Sequence, residues 1–230
     1  MRPLSVNLSH DPLVREFRAF VENTEFPCVG AKASLKKRKL CALKARSITS
    51  TWNDLELHRE IAGFAAGYDP ESDEFLSLAV LFQGPDHLTE LEFERAMWQR
   101  LQSWTDKDVW KNIDADVSVS TDPEAADFSL SFGGQAFFAV GLHPGASRLS
   151  RRFSHPAIIL NLHHQFEKMR ANGRYTKLRR TILARDTKLQ GSPNPMLAIH
   201  GESSEAKQYS GRKVPQNWKC PFHRPVRKES

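Results

Sequence analysis

The chain has 230 residues, 40% hydrophobic and 26% charged, with 33 Lys and Arg against 27 Asp and Glu for a net charge of +6. That balance describes a folded protein with enough chain for a sizeable core, and no run nears eighteen consecutive apolar residues, which excludes a transmembrane helix. The start, MRPLSVNLSHDPLVREF, lacks the apolar stretch of a secretory signal, and three scattered cysteines (Cys28, Cys41, Cys220) oppose a disulfide scaffold, so a cytoplasmic protein is expected.

Asp11-Pro12 predicts a helix start, because Asp caps and Pro suits the first helical position; Leu13, Phe17, Phe20 and Val21 continue it as one apolar stripe. FPCVGAK (26–32) reads as a turn or a tight strand entry. Cys28 there is either a buried structural thiol or one whose pKa is lowered by Lys32. The basic run Lys36–Lys39 leads to a predicted strand in KARSITSTW and a short helix in LHREIAGFAAGY that Gly67 ends. FLSLAVLFQGP, from Phe75, is a strand with a Gly-Pro stop. Thr89 and Glu92 form a capping box for a helix whose stripe is Phe93, Met97, Leu101 and Trp104.

Strands are expected at 116–120, 127–132, 137–142 and 157–162, with Gly133-Gly134 as a hairpin turn. The period changes from two to helical at His163, Gly173 reads as the residue just past that helix, and a basic helix follows from about Tyr175 to Leu189. The rest is irregular, but Tyr209, Trp218 and Phe222 argue that it is docked, with a frayed tail at 223–230. The fold expected is α+β: one domain over 1–222, with a central, largely antiparallel sheet, flanking helices and a long irregular C-terminal segment.

Three constellations carry chemistry. His163 stands at a strand-to-helix switch, where the helix's N-terminal dipole disfavours the imidazolium, and Glu167 lies at i+4; it is either a metal ligand or a capping histidine. His143, before Pro144 at a strand end, is a second candidate; His155 and His164 are weaker. Arg148, Arg151 and Arg152 share one loop and suit a carboxylate or phosphate, or are simply solvated. Glu202, Glu205, Tyr209 and Arg212 fall at helical spacing in HGESSEAKQYSGR, either as one helix face or as carboxylates for a cationic substrate. Neither GxGxxG, GxxxxGK[ST] nor GxSxG is present.

Several segments, in order along nearly the whole chain, resemble the YqcI/YcgG family: FPCVGAK, GGQAFFAVGLHPGASRLSRRF (133–153), NLHHQFEKMRANGRY (161–175), RDTKLQGSPNPML (185–197) and GESSEAKQYSGRKVPQNWKCPF (201–222). The chain departs from the family pattern just before Gly201, where Ile199-His200 replaces more acidic residues. Members studied for activity are haem-dependent oxygenases that hydroxylate a guanidine nitrogen, as in D-cycloserine and guanitoxin biosynthesis. The resemblance therefore implies an oxidoreductase with haem b, a small cationic amino-acid-like substrate, dioxygen and a separate electron-donor reductase. It implies His163 as axial iron ligand, with His143, or a thiolate from Cys28 or Cys220, as alternatives. It also implies Arg148, Arg151 and Arg152 on the haem propionates and Glu202 and Glu205 at the substrate. The other readings are a haem-binding or sensing protein without turnover, and a basic nucleic-acid-binding protein using Lys36–Lys39.

Overall fold

A computed structural model describes residues 11–72, 74–196 and 203–225. Helix α1 (Pro12–Glu22) starts as its sequence predicts: the Asp11 carboxylate accepts the Leu13 N–H at 2.9 Å, and Leu13, Phe17 and Val21 are buried. A second helix, α2 (Val29–Lys36), replaces the turn expected at FPCVGAK. Its cap is the Cys28 thiol, whose sulfur accepts the Ala31 N–H at 3.4 Å. Sulfur is a weak acceptor, so no ordinary capping residue marks this helix start in the sequence.

Strand β1 (Leu40–Ser47), helix α3 (Asp54–Ala66) and strand β2 (Ser77–Gly84) make a parallel β-α-β unit. Helix α4 (Glu90–Trp110) carries the expected capping box: Thr89 Oγ1 accepts the Glu92 N–H at 3.3 Å, and Glu92 accepts the Thr89 N–H at 2.9 Å. Strands β3 (Leu130–Phe132) and β4 (Gln135–Leu142) meet at Gly133 and Gly134, with φ of 60° and 78°, left-handed values that suit glycine. No strand forms at 116–120, where only an isolated bridge joins Ser120 to Phe128. Asp116 folds back instead, accepting the Ser118 N–H at 2.9 Å in a side-chain turn that diverts the backbone.

Strand β5 (Ala157–Leu162) runs directly into α5 (His163–Ala171). Gly173, at φ 72°, separates α5 from α6 (Arg174–Gln190), and α7 (Ala206–Tyr209) is a single turn in the C-terminal segment. The strands form one sheet in the order β1-β2-β5-β4-β3, parallel only between β1 and β2. This is the expected α+β architecture.

Alternation along the strands gives the sheet two faces. On the first, Val80, Phe82, Phe137, Ala139, Ile158 and Leu160 pack against α3 and α4. On the second, Ala42, Ala79, Leu81, Leu142 and Ile159 pack with Phe153 and α1. The C-terminal segment is docked over 203–225. Glu94, 4% exposed on α4, accepts Arg212 Nε at 2.7 Å and Nη2 at 2.8 Å, the Trp218 indole N–H at 3.1 Å and the Ser210 hydroxyl at 3.1 Å. His223 exchanges two hydrogen bonds with Gln102, so the first residues of the expected tail are held.

Candidate haem and substrate cavity

The second face of the sheet is only partly covered by α1. Beside it, α2, α5, α6 and α7 enclose, with the strands, a cavity of about 230 Å³. Its floor comes from alternate strand positions: Leu40, Ser77, Phe138, Val140, Leu142, Ile159 and Asn161. Phe17, Phe26, Phe75 and Phe166 supply aromatic wall. The inner side of α6 contributes Tyr175, Leu178, Arg179, Ile182 and Leu183. A mostly apolar cavity with a few polar groups is the usual form of a small-molecule site.

His163 and Glu205 both line this cavity, although 42 positions of sequence separate them. His163 is 8% exposed. Its position follows from the register of β5: Asn161 points to the second face, Leu162 to the first, and the chain turns into α5 with His163 back on the cavity side. The ring is held at both nitrogens, with Ser129 Oγ 3.1 Å from Nδ1 and Glu167 Oε1 3.0 Å from Nε2. Glu167 also pairs with Arg170, which lies 4.5 Å over the Tyr175 ring and lines the cavity. Glu205 is 8% exposed and precedes α7, whose Gln208 also reaches the cavity wall. On the floor, the Ser77 hydroxyl donates to Asn161 Oδ1 at 2.6 Å.

His143 is not at this cavity. Two residues past Gly141 on the first-face parity of β4, it stacks on Phe93 of α4 with ring centroids 4.2 Å apart and is 1% exposed. Burial holds its pKa down at about 4, so the ring is neutral. The sheet therefore separates His143 from His163.

The three loop arginines serve the fold. Arg148 donates to Asp186 on α6, with Nε–Oδ2 at 2.8 Å, and to the Ser192 carbonyl at 2.9 Å. Arg151 donates to the carbonyls of Gly141, Tyr209 and Gln208, and burial lowers its pKa to about 10. Arg152 donates to the Ala146 carbonyl at 3.0 Å. None of the three lines the cavity; the arginines that do are Arg170 and Arg179.

Of the two cysteines expected as alternative thiolate ligands, Cys28 faces the cavity, and burial raises its pKa above the ordinary thiol value, outweighing the nearby cations Arg151 and Lys32. Cys220 packs against the first-face core, and burial pushes its pKa up to about 12. Glu202 and the Ile199-His200 departure lie outside the described residues.

The residues that sequence reasoning missed are Arg170, Arg179, Tyr175 and Gln208. For α6 a signal was present: Tyr175, Leu178, Arg179, Ile182 and Leu183 recur at helical spacing as one inward face. No match was found among curated proteins or among solved structures. A family model does match residues 17–223, a span that contains the floor, the walls and both His163 and Glu205, and the chain belongs to the YqcI/YcgG family.

Proposed function

We propose that the chain is a haem-dependent oxygenase that N-hydroxylates a guanidine or amine nitrogen of a small cationic, amino-acid-like molecule, using dioxygen and external electrons. The observation that carries this reading is the meeting of His163 and Glu205 on one largely apolar cavity, inside the span matched by the family.

The donor set suits a haem. Among the described residues no three His, Cys, Asp or Glu side chains group to hold a bare metal ion. A haem would bring nitrogen donors of its own and would need one further donor from the protein. His163 would supply it: with the ring proton moved to Nδ1, where Ser129 Oγ at 3.1 Å could accept it, Nε2 would be the donor atom. Glu167 has to release Nε2 for this, and Arg170 keeps that carboxylate paired when it does. Phe138, Phe166, Val140 and Ile159 would offer apolar contact and exclude water, while Arg170 and Arg179, which line the cavity, would be the cations available to propionates. Bound haem supplies dioxygen activation.

The chain's own residues do the rest. The Glu205 carboxylate holds a guanidinium or ammonium inside the cavity, where low exposure strengthens the ion pair, and Gln208 adds a hydrogen bond that orients it. The experiment is incubation of haem-loaded protein with L-arginine or guanidine, a reductant and isotope-labelled dioxygen. The account expects a product heavier by one labelled oxygen. Glu205→Gln should raise KM at least tenfold, about 1.4 kcal/mol, with an unchanged haem spectrum. A haem-loaded protein that turns over neither compound and binds neither would favour the sensing role instead.

A further inference from the structure

Helix α6 has two unlike sides. Tyr175, Leu178, Arg179, Ile182 and Leu183 face the cavity. The opposite stripe, Arg174, Lys177, Arg180 and Lys188, is exposed. The only acid in the helix, Asp186, is buried against Arg148, so no carboxylate within α6 offsets the stripe. No acidic side chain of the described residues lies within ion-pair distance of Lys177, Arg180 or Lys188.

The neighbouring elements add to this field. Helix α2 packs beside α6 and ends at the exposed Lys36, followed by the exposed Lys37 and Arg38. Lys32 and Arg185 converge on one carbonyl: both donate to the Thr24 oxygen, at 3.3 Å and 2.5 Å. The pKa of Lys32 is lowered, first by burial and then by Arg185, as expected where cations crowd. A single helix, about 10 Å thick with its side chains, separates this face from the cavity that holds His163.

We infer that the outer face of α6, with the end of α2, is the docking surface for an acidic one-electron carrier protein that reduces the cofactor of the cavity. The inference rests on the oxygenase reading, which requires electrons from outside. Charge complementarity picks the partner's chemistry, and proximity picks the reason for the location. In each encounter one electron leaves the carrier's reduced centre and takes the haem iron from ferric to ferrous. The carrier departs oxidised by one electron. Redox encounters are brief and use small interfaces, so one helix face and a neighbouring helix end suffice.

The probe is a chemically reduced, acidic plant-type two-iron ferredoxin. Its affinity is measured with haem-free protein at low and raised salt, and its electron transfer with haem-loaded protein by stopped flow. The variant is Lys177→Glu/Arg180→Glu/Lys188→Glu, with Arg95→Glu on exposed α4 surface as the control. Wild type should bind with an affinity that falls with salt. The triple variant should bind at least tenfold more weakly and accept electrons at least tenfold more slowly, with its Soret band and its reduction by dithionite unchanged. Arg95→Glu should match wild type.

Equal affinity and rate in the triple variant would overturn the inference, as would wild-type binding that ignores salt. So would a triple variant that loses binding to a short single-stranded RNA while keeping ferredoxin, which would assign the face to nucleic acid. Ferredoxin binding by a protein that takes up no haem would leave the docking surface standing and sink the oxygenase reading, so the two failures are distinct.

Discussion

His143 illustrates how one strand position decides between a ligand and a packing residue. Its imidazole lies flat on Phe93, and burial depresses its pKa from 6.5 to about 4. The folded-state value is below the unfolded one, so the unfolded chain takes up the proton first as the pH falls. The contribution to stability is fully present above about pH 6.5 and is lost as the pH drops toward 4; its size is on the order of 3 kcal/mol. Urea unfolding of wild type and His143→Phe between pH 4.5 and 7.5 tests this. The wild-type stability should fall more steeply on the acid side, and parallel curves would rule the depressed pKa out. At the same scale, Arg148 and Arg151 looked like ligand-binding cations because they have partners distant in sequence, whereas Arg152 turns back onto the Ala146 carbonyl of its own loop. Asp186 lies 38 residues on, and the carbonyls of Gln208 and Tyr209 more than fifty. No spacing rule reveals such pairs, whereas the placement of His163 was legible because the change of period at the end of β5 fixes which side it faces.

Elements with strong local signals were read correctly from the sequence. The capping box of α4, the glycine pair between β3 and β4, and the β5–α5 switch are each set by residues close in the chain. Helix α2 was hidden by its sulfur cap, and the strand expected at 116–120 was lost to the side-chain turn at Asp116. The C-terminal segment has little periodicity because it is organised from outside, by Glu94 of α4. Glu94→Gln removes the paired charge from Arg212 and weakens the hold on Trp218. Because Arg212 is partly exposed, the expected cost is about 2 kcal/mol, below that of breaking a fully buried pair. The urea midpoint should drop, and limited proteolysis should cut within 203–225 well before the sheet. A segment that resists cleavage as in wild type would show that Glu94 is not its anchor.

For the molecule as a whole, the sheet is a partition. Its first face, against α3 and α4, is filled with large apolar side chains and the docked C-terminal aromatics. Its second face is left partly open, as a cavity between the strands and helices α2, α5, α6 and α7. The cavity is made from six separate stretches of chain, which is why its wall could not be assembled from motifs alone: the motif histidine and the motif carboxylate meet there, while the motif arginines brace the frame around it. The basic exterior of α6 lies on the same side of the sheet as the cavity, so the proposed chemistry and the proposed electron entry share one wall.

Titration of the purified protein with haemin, followed at the Soret band, tests the central claim most directly. The account predicts saturation at one haem per chain, a spectrum of nitrogen ligation, loss or a marked shift of that spectrum in His163→Ala, and retention in His143→Ala. An unchanged spectrum in His163→Ala, or a ferrous–CO band of thiolate ligation, would contradict it.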